Sequence, residues 1–253
     1  MNHAQLLAEL VATQQGAIAR HQLPDQSYVW IRRASRRHSI HKYRLLGFFS
    51  RLLGLPLLSP VQNFGGTAAI ATEVHRLTQL RQAGVYVPVL LACQDDALMM
   101  SDLQSDTLEH KIWQANADEA VRWFEQGIQA ITLVHERGQY LSQAFARNII
   151  AGEQIGFIDF EDDPIKVLSL AQCQARDWLC YLQSTAILLN NKGRLNQARQ
   201  IWQATANSLP AQMRDEIYRT VMPLRWIRHF NHRKFGGDTV KLASLVVLLD
   251  KNG

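Results

Sequence analysis

The stretch that most narrows the choice of fold runs Asn148-Ile149-Ile150-Ala151-Gly152-Glu153-Gln154-Ile155-Gly156-Phe157-Ile158-Asp159-Phe160-Glu161. Two short apolar runs flank a polar turn that contains glycine, the pattern of a β-hairpin. If Ile149 and Ile150 pair with Ile155 to Ile158, closure brings Asn148 and Asp159 together, so that an amide oxygen faces a carboxylate. Period-two alternation in the second strand puts Phe157, Asp159 and Glu161 on one face. Oxygen donors in this layout suit a magnesium ion and the phosphates attached to it, because Mg2+ keeps waters that a few side chains can orient. Two acids held that close repel unless a cation lies between them. The simpler alternative is that Ile-Asp-Phe-Glu-Asp-Asp-Pro ends a strand in a solvated acidic turn.

A chain of 253 residues with 47% hydrophobic content can bury a core as one large domain or two small lobes, which excludes global disorder. Cys93, Cys173 and Cys180 show no Cys-x-x-Cys spacing, so neither a disulfide framework nor a structural zinc site is expected. Cys173 and Cys180 stand one helical heptad apart and are expected to face a core. The first residues read as a helix start rather than a secretion signal, and Leu242 to Leu249 is too short to cross a bilayer. The expected location is the cytoplasm, with peripheral contact at the inner face of the inner membrane as a further option.

The net charge of +5 is concentrated. Arg32, Arg33, Arg36, Arg37, Lys42, Arg44 and Arg51 crowd one segment, and Arg225, Arg228, Arg233 and Lys234 another. Such blocks favour an anionic partner, whether phosphate, acidic lipid or nucleic acid. Aromatic residues stand near both blocks, but no nucleic-acid recognition pattern accompanies them, and a nucleic acid is not the expected partner. Residues 40–58 join basic positions to Leu45-Leu46-Gly47-Phe48-Phe49 and Leu52-Leu53-Gly54-Leu55-Pro56-Leu57-Leu58, an element that either covers the core or rests on a membrane surface.

Along the chain, residues 3–19 read as a helix and Tyr28 to Arg33 as a strand. A helical pattern over 68–83 carries Glu73 beside the stripe Ile70, Val74 and Leu77, and Gly84 closes it. Residues 87–92 and 97–100 read as two strands around the turn Gln94-Asp95-Asp96. Val121, Phe124, Ile128, Ile131 and Val134 make a helix that ends before Gly138, and the hairpin follows. Helices are expected over 169–190, 195–206, 211–219 and 238–249, with breaks at Gly193, Pro210, Pro223 and Gly236-Gly237. The expected division is an N-lobe of strands with one central helix over 1–101 and a helical C-lobe carrying the hairpin over 102–253, jointed at 101–106. A cleft between the lobes is the natural ligand site.

This order, with Val134-His135-Glu136-Arg137-Gly138, the loop ending Arg147-Asn148 and the strand ending Ile158-Asp159-Phe160-Glu161, resembles the protein-kinase-like superfamily. It looks closest to the bacterial small-molecule branch, the aminoglycoside phosphotransferases and lipopolysaccharide-core sugar kinases. The likeness spans roughly 28–180, and motif identity is strong only over 135–161. The resemblance implies an α+β, two-lobed protein-kinase-like fold with a small strand-containing N-lobe and a mostly helical C-lobe. It implies ATP and Mg2+ as cofactors, with Asn148, Asp159 and Glu161 at the metal and Arg32, Glu73 and Asp102 at the nucleotide. Glu161 replaces the glycine of protein kinases. Arg32 stands where the family has a phosphate-contacting lysine, and its planar fork differs in reach from an ammonium. Without the resemblance, Arg32 is a solvated strand residue and Glu73 an exposed helix residue.

Counting back from Asn148 puts Gln143 where the family has its catalytic aspartate. An amide can orient a hydroxyl but cannot act as a carboxylate base. No glycine-rich phosphate loop precedes Tyr28. His135 matches a histidine that is usually structural in this branch. Asp177, in Arg176-Asp177-Trp178-Leu179, either bonds the catalytic loop or lies on a helix surface. The expected function is ATP- and Mg-dependent transfer of a phosphoryl group to a hydroxyl of a sugar or glycolipid, such as a lipopolysaccharide core. The alternative is a weakly active or inactive kinase-like regulator or scaffold.

Overall fold

The computed structural model describes residues 2–34, 65–230 and 237–250. The stretch 40–58, and with it the question of membrane contact, lies outside the described residues. Among the described residues no helix is long and apolar enough to cross a membrane.

Helix α1 (His3–Thr13) starts where the Asn2 side chain accepts from Ala4 N. It stops at Thr13 rather than running to residue 19, because Gly16 takes φ +94 and turns the chain into β1 (Ile18–Gln22). Strand β2 (Tyr28–Arg33) follows, then α2 (Gly66–Gln82), β3 (Leu90–Gln94) and β4 (Ala97–Ser101). The four strands form an antiparallel sheet in the order β1-β2-β4-β3. β3 begins later than expected, after Pro88, which has no backbone N–H to give a ladder.

Strand alternation divides the sheet into two faces. Val29, Ile31, Ala97 and Met99 pack under Leu6 and Leu7 of α1. Leu98 and Met100 face the other way and join Ile70, Leu77 and Leu80 of α2. Trp30 and Arg32 pair with Met100 and Leu98, so Arg32 stands on the face turned away from α1.

The C-lobe opens with α3 (Leu108–Gln114), a short helix capped by Thr107, and α4 (Ala117–Glu136), whose Asn116 and Glu119 form a reciprocal cap. The strands β5 (Ile149–Ala151) and β6 (Ile155–Phe157) then pair in the register Ile149 to Phe157 and Ala151 to Ile155. Helices α5 (Leu170–Asn191), α6 (Leu195–Ser208), α7 (Ala211–Val221) and α8 (Gly237–Leu249) complete the lobe, with a 3-10 turn at Met222–Phe230. Trp178, Tyr181 and Trp202 are fully buried at its centre. Cys173 and Cys180 are buried on α5. The result is an α+β fold, a small antiparallel sheet with its helices followed by a helical region.

The connection between the lobes is tied to the hairpin: Thr107 bridges Ile150, and Ala151 N donates to Asp106 O at 2.8 Å. Helix α5 is tied to α4. Tyr181 Oη donates to Phe124 O at 2.7 Å, passing directly over Gly127, where a Cβ would collide with that hydroxyl. Gly127→Ala is therefore expected to destabilise the fold by about 1–3 kcal/mol in urea unfolding, although alanine is the better helix former by about 1 kcal/mol.

Candidate functional site between the lobes

The hairpin closes and brings Asn148 and Asp159 together: Asn148 Nδ2 donates to Asp159 Oδ2 at 3.2 Å. The group that faces the carboxylate is the amide nitrogen, not the oxygen expected from the sequence. Its orientation is set by the backbone carbonyl of Gln143, which can only accept and lies 3.1 Å from Nδ2. Asp159 and Glu161 also reach a common point, but the pleat is not the reason. β6 ends at Phe157, and Asp159 takes φ +71, a left-handed conformation that Asp tolerates better than most residues.

Arg32 is that common point. Its Nη1 lies 3.2 Å from Glu73 Oε2 and 3.0 Å from Asp159 Oδ1, and its Nη2 donates to Glu161 Oε2. Glu73 is 1% exposed, so the solvated placements of Arg32 and Glu73 are both excluded. Three acids share one guanidinium. Burial raises the Glu73 pKa to about 7; Arg32 opposes the shift, and Asp159 and Glu161 add to it. For Arg32, burial disfavours the charge, but Glu73, Glu161 and Asp159 outweigh it and hold its pKa above the ordinary value.

The raised Glu73 pKa has a consequence for stability. From its ordinary 4.5 up to about 7 the folded chain holds a proton that the unfolded chain has lost, so unfolding free energy falls as pH rises through this window. The loss is about 3 kcal/mol at most. Glu73→Gln is expected to flatten that part of the stability–pH curve in urea titrations; an unchanged slope would mean that Glu73 is ionised throughout.

These side chains line a cavity of about 770 Å³, with Trp30, Met100 and Ile150 on its apolar walls. The volume lies in the range of small-molecule sites. Asp102 lines the cavity too, but its carboxylate is engaged: Arg20 Nε donates to it at 2.6 Å and Gln104 N at 2.9 Å.

Gln143 stands apart from the cavity lining, and its Nε2 donates to Asp162. Asp162 is a buried acid whose pKa burial raises, with the Gln143 bond opposing. The sequence reading passed over it as part of an acidic turn; its only signal was its place in Glu161-Asp162-Asp163-Pro164. The loop that carries Gln143 is held from below. Asp177 is fully buried, and its Oδ2 accepts from Leu141 N at 2.7 Å and lies 3.1 Å from His135 Nε2. His135 packs edge-on against Trp178, with ring centres 5.3 Å apart. His135 is thus a packing residue, and Asp177 bonds the loop rather than facing solvent.

A second brace holds α2, the helix of Glu73. Arg76 is 2% exposed, lies flat over the Tyr140 ring at 3.8 Å, and donates from Nη2 to Tyr140 O at 2.6 Å. Tyr140 Oη in turn donates to Asp163 Oδ1 at 2.6 Å.

Does this donor set fit magnesium? Among the described residues no three His, Cys, Asp or Glu side chains form a cage that could hold a metal alone. Magnesium does not need one, since it is usually held by one or two carboxylates together with waters and phosphate oxygens. Asp159 and Glu161 are 29% and 24% exposed at the cavity, with one guanidinium shared among three acids, so the charge and donor chemistry fit.

Compared by sequence, the chain matches no protein-family model and no curated protein. Compared by structure, it is similar to the pseudokinase domain of BIR2, an immune regulator of the RLK/Pelle family, at 13% identity and a TM-score of 0.38, over 93% of this chain and 78% of that one. So loose a likeness carries no argument, and the account of the cleft rests on the sheet, the helices and the side chains described above.

Proposed function

We propose that the cleft binds ATP with magnesium and that the chain is a phosphotransferase acting on a hydroxyl of a sugar or glycolipid. The observation that carries this is the convergence of Arg32, Glu73, Asn148, Asp159 and Glu161 on one wall of a nucleotide-sized cavity. Bound magnesium would supply neutralisation of charge on the transferring phosphoryl group, with Asp159 and Glu161 to hold it. Arg32 offers a planar fork for phosphate oxygens. Asn148 fixes the Asp159 carboxylate. With its nitrogen committed to Asp162, Gln143 has its amide oxygen left to accept from a hydroxyl, which aligns the acceptor without removing its proton. Transfer by alignment alone is slow transfer. Exposed Arg147, stacked over Phe145 at 4.4 Å beside Asn148, supports an anionic acceptor such as a phosphorylated or acidic sugar.

The purified chain with ATP, Mg2+ and candidate glycans is expected to release ADP only when an acceptor is present. A second reading, a nucleotide-binding scaffold without transfer, is favoured by the Gln143–Asp162 pair, which puts an amide where a base is wanted. ATP binding without ADP release on any hydroxyl acceptor would select it. Absence of ATP binding in calorimetry with Mg2+ would remove both.

A further inference from the structure

Arg32 belongs to strand β2 of the N-lobe, whereas Asp159 and Glu161 follow strand β6 of the C-lobe. One guanidinium therefore closes the cleft from one lobe to the other, with Nη1 on Glu73 and Asp159 and Nη2 on Glu161. Asp159, left-handed at φ +71, is held in place from both sides, by Arg32 on Oδ1 and Asn148 on Oδ2. We infer that Arg32 is a latch displaced by a divalent cation: the guanidinium and the cation answer the same two carboxylates, so cation entry and release of Arg32 from Asp159 and Glu161 are one event. This rests on the nucleotide–magnesium reading of the cleft and adds its regulation.

The chemistry follows from charge. Arg32 commits three of its five N–H groups to Glu73, Asp159 and Glu161, so it cannot turn its whole fork to phosphate oxygens while it holds the three acids. A doubly charged ion at Asp159 and Glu161 removes the attraction that holds Arg32 there. The fork is then free for phosphate, the tie between the lobes is broken, and Arg32 keeps only Glu73, its partner within the N-lobe. Glu161 sets the strength of the latch, because it alone occupies Nη2. Cation first and nucleotide second is the resulting order.

The test uses the full chain without nucleotide and Mn2+ as the probe, with binding followed by electron paramagnetic resonance. Arg32→Met removes the competitor and is expected to tighten Mn2+ binding by at least about 10-fold over wild type. Arg32→Lys, whose ammonium cannot bridge three acids, is expected to fall between them. Equal Mn2+ affinity in wild type and both variants would overturn the latch. Should Arg32→Met fail to fold, the wild-type chain decides: its Arg32 guanidinium protons are expected to lose their restrained NMR signals on addition of Mg2+ alone, and signals unchanged at saturating Mg2+ would overturn the latch. If ATP with Mg2+ binds wild type while these results are negative, only the latch fails. If neither Mn2+ nor ATP binds any form, the latch and the nucleotide reading fail together.

Discussion

Replacing Asp159 by asparagine is expected to weaken binding of ATP with magnesium by at least about 100-fold and to leave the fold intact. Asparagine has the same shape and tolerates the left-handed backbone that this position needs, φ +71. It can still accept from Asn148 or Arg32, so the local bonds that shape the turn survive. What it lacks is the charge that a cation needs. Asp159→Ala would mix that loss with about 1 kcal/mol of backbone strain, which makes asparagine the cleaner substitution. Calorimetric titration with ATP and Mg2+, alongside a thermal melt, separates the two effects. Wild-type affinity in a stable Asp159→Asn chain would mean that Asp159 is a structural acid only.

The largest stability effect is expected at Asp177. Asp177→Ala should lower the unfolding free energy by about 2–4 kcal/mol, as removing a buried oxygen shared by two hydrogen-bond partners does. The side chain is fully buried, and its removal leaves Leu141 N without its acceptor in a site where Leu141 is 2% exposed. A buried N–H left unpaired costs about 1–3 kcal/mol by itself. His135 loses its partner as well. Asp177→Asn keeps an oxygen for Leu141 N and should cost less than half as much. Urea unfolding gives both numbers. Amide exchange at residues 139–145 should quicken in Asp177→Ala, because the loop that carries Gln143 has lost its anchor; exchange at wild-type rates would show that the loop is held by other contacts.

The hairpin, α4 and α5 were readable from local pattern: Ile149 and Ile150 against Ile155 and Phe157 across a polar turn, the stripe from Phe124 to Val134, and the heptad from Cys173 to Cys180. Strand β1 was hidden. Ile-Ala-Arg-His-Gln has no alternating apolar face, and as an edge strand it is half-exposed along its length. Helix α3 is short and was missed for lack of length to show a period. The site was legible as a set of residues and only partly as geometry. Periodicity cannot bury Glu73; a guanidinium 41 positions away in the chain does that. The meeting of Asp159 and Glu161 was expected from strand alternation and is produced instead by a left-handed residue that ends the strand. The Gln143–Asp162 contact joins two irregular segments, where no repeat in the sequence points from one residue to the other.

Everything proposed for the cleft depends on a cation meeting Asp159 and Glu161. Crystals of the chain grown with ATP and Mn2+, measured at the manganese absorption edge, test this most directly. The account predicts an anomalous peak at about 2.1 Å from carboxylate oxygens of both residues, with Arg32 turned away from them toward phosphate oxygens. A peak elsewhere, or bound nucleotide with Arg32 still on Asp159 and Glu161, would contradict it.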